Sequence, residues 1–315
     1  LKRGATVTQF NRSKRENPFG NSIETIVGDR SDSAAFETAF AKREFDVVID
    51  MICFTPAEAQ SDVRAFAGRC EHFIFCSTVC TYGIKIAEQV LIDETFPQEP
   101  ISDYGKNKVA CEKIFLQAAA EKKFAVTIIR PSHTYGPGNP LIDNLEPNAL
   151  AWDRIERGLP VLCSGDGLGL WQATHRDDVG RLFAYAALNP KTYGQSYNAT
   201  CRRVLTWRDY YRHAADALGK QASVIFMPSD WIVAHDPKRF GLLREITQFH
   251  GAYSSAKAER DVPEYAESFV NLKDGASEVF VALRKLGRWR TDNEDKTYRQ
   301  MIHEATAAEV KPIQI

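Results

Sequence analysis

Tyr104 and Lys108 stand four residues apart in the run Tyr104-Gly105-Lys106-Asn107-Lys108. On a helix this spacing puts both side chains on one face. An ammonium beside a phenol favours the phenolate, so the pair can exchange a proton with a substrate hydroxyl or carbonyl. The spacing alone is weak evidence, because Tyr253 and Lys257 repeat it without a comparable strand before them. That second pair reads as structural. Context favours the first pair. The apolar stretch 72–77 runs into Thr78, and open parallel sheets place their sites beyond the carboxyl ends of their strands. Thr78 can offer its hydroxyl to a reacting oxygen, or cap a turn.

Other residues point to a bound dinucleotide. The stretch 5–10 leads into Asn11-Arg12-Ser13-Lys14-Arg15, three cations without an acid. An acid there would bind ribose hydroxyls, whereas cations accept a 2′-phosphate, so NADP is favoured over NAD; a solvated charge cluster is the other reading. After the next stretch, Asp29 can accept from an adenine amine with Arg30 stacking or pairing beside it, or can cap the helix near Ser33. Met51 lies near the end of a third apolar stretch. Pro131 stiffens the exit from 125–129 and suits a wall for a flat nicotinamide ring. Ser132 and His133 follow, and His133 either hydrogen-bonds a ligand or satisfies its own loop. The expected cofactor-binding set is therefore Asn11, Arg12, Lys14, Arg15, Asp29, Arg30, Met51, Pro131, Ser132 and His133. Cys80, Trp171 and His175 are the expected substrate contacts. No metal site is expected: there is no HExxH pattern, and Asp177 and Asp178 near His175 suit the first turn of a helix.

These residues need a scaffold of alternating elements. Stretches 5–10, 24–27, 46–52, 72–77 and 125–129 are rich in Val, Ile and Phe and predict strands. Helices are expected over 33–43, 56–69 and 105–121, with Pro56 at a first turn and Gly68 near a stop. Such alternation implies parallel strands covered by helices, an α/β fold. A helix over 178–187 and a strand over 196–199 return to this layer. The segment 136–176, punctuated by Pro and Gly, departs from it. Helices over 207–218, 274–285 and 295–308 and a strand over 222–227 complete a second lobe.

The 315 residues carry 40 basic and 41 acidic side chains, a formal charge of -1, which provides no general attraction to nucleic acid or membrane surfaces. No apolar run is long enough to span a bilayer, and residues 1–12 lack the apolar stretch of a signal peptide, so a cytoplasmic protein is expected. The seven cysteines have no zinc or iron-sulfur spacing and read as reduced, mostly buried thiols. Nothing in the sequence marks Cys80 as activated.

In order and spacing, Gly28-Asp29-Arg30, Ser77-Thr78 through Tyr82-Gly83, Tyr104 with Lys108, Arg130-Pro131 through Tyr135-Gly136-Pro137, and Gly165-Asp166-Gly167 through His175 and Asp177-Asp178 resemble the extended short-chain dehydrogenases of the NAD-dependent epimerase/dehydratase family. The resemblance implies a Rossmann-like doubly wound parallel sheet with a smaller C-terminal substrate lobe. Residues 1–140 and about 174–205 would form the dinucleotide domain, and 141–173 and about 206–315 the lobe. It implies that Tyr104 exchanges the proton, Lys108 assists it and grips a ribose, and Thr78 binds the substrate oxygen. It also implies a homodimer through the helices at 56–69 and 105–121.

Two departures stand out. The glycine-rich phosphate turn is missing and the chain opens at what resembles the end of the first helix, so a sheet truncated at its N-terminus is expected. Trp171 stands where nucleotide-sugar epimerases usually carry a phosphate-holding arginine, which favours a smaller or differently held sugar-like substrate. The region from Leu170-Trp171 to Thr174-His175 is also similar to a branch related to chloroplast stem-loop-binding proteins. The alternative is thus a non-catalytic nucleotide- or RNA-binding protein, with Arg202, Arg203, Arg208, Trp207 and Tyr210 as the place to look.

Overall fold

The computed structural model describes residues 3–14, 17–84, 91–293 and 295–315. Arg15 lies outside the described residues. The chain divides into two compact units, one of Leu1–Ser77, Asp103–Ile129 and Ala186–Ser196, the other of Thr78–Ser102, Arg130–Tyr185 and Tyr197–Ile315.

The first unit follows the expected alternation: β1 (Thr8–Asn11), β2 (Glu24–Val27), α1 (Ser33–Phe40), β3 (Phe45–Asp50), α2 (Pro56–Phe66), β4 (Cys70–Cys76), α3 (Asp103–Ala120) and β5 (Ala125–Pro131). β1 pairs with β2, and β4 lies between β3 and β5, all parallel. The strand Gln195–Ala199 extends the second group to four, so the fold is a Rossmann-like parallel α/β sheet in two hydrogen-bonded pieces. β4 is buried along almost its whole apolar run, as a strand covered on both faces must be. β3 is not: it is hydrogen-bonded along one edge only, and Ile49 is 42% exposed.

Local signals in the sequence explain the element boundaries. α2 opens with Pro56, and Thr55 and Glu58 satisfy each other's backbone N–H groups in a capping box. Gly68 takes φ +69 after the helix, a left-handed turn that costs glycine little. Phenylalanines from α1, α2, β4 and α3 make the core, with Phe36 and Phe40 centroids 5.0 Å apart and Phe73 stacked 4.7 Å from Phe115. Among the described residues no helix end precedes β1: Arg3 lies in a turn, and Gly4 takes φ +78.

The second unit contains β6 (His133–Tyr135), α4 (Leu150–Glu156), β7 (Val161–Ser164), β8 (Leu170–Trp171), β9 (Ala173–His175), most of α5 (Arg176–Ala186), the end of β10 (the strand Gln195–Ala199), β11 (Leu205–Thr206), α6 (Trp207–Ala217) and β12 (Ser223–Met227). β7 runs parallel to β12, β6 parallel to β9, and β8 antiparallel to β11. Thr206 caps α6 by accepting from Asp209 N, and Asp177 and Asp178 occupy the first turn of α5, both as their sequence positions predict. The core is built on buried Trp152, Trp207, Tyr210, Tyr211 and Phe280. Helices Leu272–Lys285 and Lys296–Ala307 complete the unit. No described helix is long and apolar enough to cross a membrane.

Candidate active site

Lys108 is anchored from below. Its side chain is 1% exposed, and Nζ donates to the carbonyls of Cys53 and Cys76, each at 2.7 Å. Cys76 is the last residue of β4 and Cys53 follows the end of β3, so the ammonium joins two strand ends. Two of its three donors are thereby committed. Aromatic rings complete the setting, with Nζ 4.7 Å from the Phe75 centroid, 4.8 Å from Phe54 and 5.9 Å from Tyr104. Tyr104, one turn earlier in α3, is 44% exposed. An immobilised cation beside an accessible phenol can stabilise the phenolate and so support proton transfer. Behind the pair, Ser77 Oγ donates to the buried Glu112 carboxylate, tying the chain just after β4 to α3. The sequence shows neither the two carbonyls nor Glu112 as partners, because all three are long-range contacts.

The expected cofactor residues of this unit divide into outward and inward sets. Asn11 accepts from Ser13 N at 2.7 Å and so shapes the turn after β1. Arg12 and Lys14 are exposed. Arg12 lies 3.7 Å from Asp29, whose carboxylate accepts from Ser31 N and Oγ. Those Ser31 hydrogen bonds first, and the charges of Arg12 and Lys14 after them, hold Asp29 below the ordinary carboxylate range. The cap of α1 is Asp32, which accepts from Ala35 N, so Asp29 does not have that task. Met51, Ile52 and Phe54 are exposed apolar residues beyond β3.

Arg30 departs from the expectation. It is buried, donates to the Glu58 carbonyl at 2.7 Å, pairs with Asp62 at 2.8 Å and lies 4.0 Å over the Phe36 ring. Its guanidinium is therefore engaged by groups of its own unit. Asp50, Cys53 and Asp62 offer three ligand atoms within 4.8 Å of one another. Arg30 already supplies positive charge there, and burial with the nearby Asp50 pushes the Asp62 carboxyl well up.

In the second unit Thr78 is buried and caps the short turn Val79–Tyr82, its Oγ1 accepting from Cys80 N at 3.1 Å. The cap uses the oxygen as an acceptor and leaves the hydroxyl hydrogen for a further partner. Pro131 ends β5, and Ser132 is held in the strands by Thr174 Oγ1 at 2.9 Å and by Ala199 O. The His133 ring lies 6.2 Å from that of Trp171, and Trp171 stacks 4.9 Å from Trp207. Cys80 and Trp171 come together in one cleft, with Ile84, Ile101, His250 and Tyr253 among its walls. Burial pushes the Cys80 thiol up, which makes it a poor nucleophile. His175 is not brought to this cleft: it is buried edge-on to Tyr135 and lies 3.5 Å from Glu278.

The repeated Tyr-Lys spacing does not hold its two side chains on a common partner. Tyr253 stacks 6.0 Å from Tyr82, while Lys257 sits over Tyr197. Sequence reasoning missed the buried triad in which Arg130 donates to the Tyr82 hydroxyl at 2.9 Å and that hydroxyl donates to Asn198 at 2.8 Å. Arg130 was visible in its motif, but its partners come from distant segments.

Comparison with known proteins shows the family of the chain. A model of the NAD dependent epimerase/dehydratase family matches residues 1–200. The chain is 26% identical over 245 residues to 2′-dehydrokanamycin reductase of Streptomyces kanamyceticus, covering 78% of this chain and 68% of that protein. It is 32% identical over 131 residues to human dTDP-D-glucose 4,6-dehydratase, where the match spans 36% of each chain. In fold it is similar to UDP-glucose 4-epimerase of Thermotoga maritima, at TM-score 0.70 and 18% identity over 90% of this chain and 93% of that one. It is also similar to UDP-glucuronic acid 4-epimerase of Bacillus cereus, solved with UDP-glucuronic acid and NAD, at TM-score 0.65 and 19% identity over 89% and 91% of the two chains. With the family model matching 200 of its 315 residues, the chain belongs to the NAD-dependent epimerase/dehydratase family.

Proposed function

We propose that the chain is an NADP-dependent oxidoreductase or epimerase acting at a hydroxyl or carbonyl carbon of a sugar-like substrate. Tyr104 is its acid and base, assisted by Lys108 and Thr78. The observation that carries this reading is the buried Lys108 ammonium, held by two carbonyls at 2.7 Å beside an exposed tyrosine. The phenol gives its proton to the carbonyl oxygen as that oxygen gains charge, and in the reverse direction the phenolate removes it. Lys108 stabilises the phenolate, and Thr78 offers its hydroxyl to a substrate oxygen. The bound nicotinamide supplies or accepts the hydride. Arg12 and Lys14 hold the 2′-phosphate, Asp29 the adenine amine, and Met51 with its apolar neighbours a flat ring. The match to a reductase over 78% of the chain favours net reduction within this reading.

The test is Tyr104→Phe, which removes the proton donor and keeps the ring. Turnover should fall by roughly a hundredfold to ten-thousandfold while NADPH binding is unchanged. Full turnover by this variant would show that another group moves the proton. The alternative, an RNA-binding role, has less support. Trp207 and Tyr210 are core residues unable to stack on a base, and Arg202 is paired with Glu259 at 2.8 Å.

A further inference from the structure

Glu112 continues the spacing that makes Tyr104 and Lys108 a pair. The three residues stand four apart on α3 and so share one helix face. Tyr104 meets solvent, whereas Lys108 and Glu112 are buried, Glu112 at 2% exposed. A carboxylate is rarely buried without a donor. Glu112 accepts from Ser77 Oγ at 2.5 Å, a length typical of a hydroxyl donating to a carboxylate. Ser77 is itself buried, and its N–H donates to Ile129 O at 2.7 Å. All of these residues belong to the first unit.

These contacts converge on one peptide unit. The Cys76 carbonyl that accepts from Lys108 Nζ and the Ser77 N–H that donates to β5 belong to the same plane and point in opposite directions. β5 holds that plane by its N–H, Lys108 takes its oxygen, and Glu112 holds the side chain of Ser77, the residue the plane leads into. A lysine has a flexible four-carbon stem and three rotatable donors, so its carbonyl acceptors decide where the charge sits. A carboxylate one turn further along α3 thus acts on the ammonium through the strand end.

We propose that Glu112 is a positioning residue: the hydrogen bond it accepts from Ser77 fixes the end of β4, so that the Cys76 carbonyl holds the Lys108 ammonium beside Tyr104. The consequence for proton transfer rests on the proposed function, whereas the anchoring of the ammonium does not. Asp50 and Glu58 are the other carboxylates whose charge reaches the neighbouring Cys111 thiol along with that of Lys108, and the variants of Ser77 and Glu112 leave both in place.

Variants of the full chain test it. Glu112→Leu removes the acceptor, Ser77→Ala removes the donor, and Glu112→Gln keeps an oxygen that accepts from Ser77 Oγ. With isotope-labelled lysine, the Lys108 ammonium resonance, assigned by its loss in Lys108→Met, should exchange slowly with water in the parent and in Glu112→Gln. It should broaden away in Ser77→Ala and in Glu112→Leu. In the oxidation of kanamycin by NADP+, where the phenolate is the reactive form, the ascending limb of the turnover profile should move about one unit to higher pH in those two variants. Turnover below that limb should fall about tenfold, with KM and NADPH affinity unchanged and the Glu112→Gln profile restored. The double variant Ser77→Ala with Glu112→Leu should match either single one, because one tie is broken in all three. A parent without the slowly exchanging ammonium, or a signal kept in folded Ser77→Ala or Glu112→Leu, would overturn the inference; lower stability with signal and profile unmoved would leave Glu112 a core residue only. If Glu112→Leu does not fold, Ser77→Ala carries the same test. The ammonium signal needs no substrate, so it decides the inference even where kanamycin is not oxidised. A signal lost with the turnover profile unmoved would sink the proton-transfer role of Tyr104 and Lys108 and leave the anchoring by Glu112 standing.

Discussion

Replacing Asp143 by asparagine should flatten the pH dependence of stability by an amount set by one buried carboxyl. Asp143 is fully buried, with one oxygen accepting from Leu145 N at 2.7 Å and from Glu146 N, and the other sealed without a partner. Burial first, then the charge of Glu146, pushes the carboxyl from 3.8 up to about 8. The folded value lies above the unfolded one, so between these limits the native state keeps a proton that the unfolded chain has released. Stability from this group is therefore complete below about pH 4 and is lost as pH rises toward 8. At 1.36 kcal/mol per unit, the three units from pH 5 to pH 8 amount to about 4 kcal/mol. In Asp143→Asn one oxygen remains for the two backbone N–H groups, and nothing titrates. The unfolding free energy of the variant relative to the parent should thus rise by about 4 kcal/mol between pH 5 and pH 8. Urea unfolding of both proteins at four pH values measures this difference, in which titrations common to the two cancel. Parallel stability profiles would show that Asp143 is already ionised in the folded protein and that the argument from burial fails. Asn144, the next residue, donates to Thr247 O at 3.1 Å, and Thr247 ends the segment that carries Glu245 and Ile246 into the cleft wall. Loosening at high pH would therefore reach the wall of this cleft.

Arg12→Glu combined with Lys14→Glu should cost NADPH about tenfold or more in affinity and leave NADH nearly unchanged; equal losses for both would remove the argument for a 2′-phosphate site. His72 Nδ1 accepts from Leu188 N at 3.1 Å, which puts its proton on Nε2 beside Thr127 Oγ1, and burial lowers its pKa to about 4. Because the folded value lies below 6.5, stability from this group is present above pH 6.5 and lost as pH falls toward 4, and its nitrogen resonances should stay those of the Nε2–H tautomer at pH 5. Titration near pH 6.5 would contradict that. The groove between α2 and α3, lined by Val63, Arg64, Lys113, Ile114 and Gln117, should seat a second copy of the chain. Light scattering that gives 35.4 kDa at every concentration would rule this out.

The alternating order of β1 through β5 was legible because parallel strands covered by helices must be near-continuous in apolar residues, and α2 advertised its own start through Thr55, Pro56 and Glu58. Position in sequence does not report side-chain direction. Asp29 and Arg30 are neighbours, yet the first faces solvent and the second is buried against Asp62. A motif read as one adenine-binding dipeptide is thus divided between surface and core. Likewise Thr78 was legible both as a turn cap and as a hydroxyl donor, and its cap geometry is compatible with both.

The helix that carries Tyr104 and Lys108 and the cleft beside Trp171 differed in legibility for a reason of chain topology. Tyr104 and Lys108 belong to one helix, so their relation depends on helical pitch, which any sequence displays. The cleft collects Cys80, Ile101, Trp171, His250 and Tyr253 from four separated segments, and no local pattern records their meeting. What the sequence did display was a substitution, a tryptophan where relatives of the resembled kind hold phosphate. Trp171 stacks 4.9 Å from Trp207 and lies 6.2 Å from the His133 ring, so packing among segments distant in sequence sets its place, and the substitution was legible where its surroundings were not.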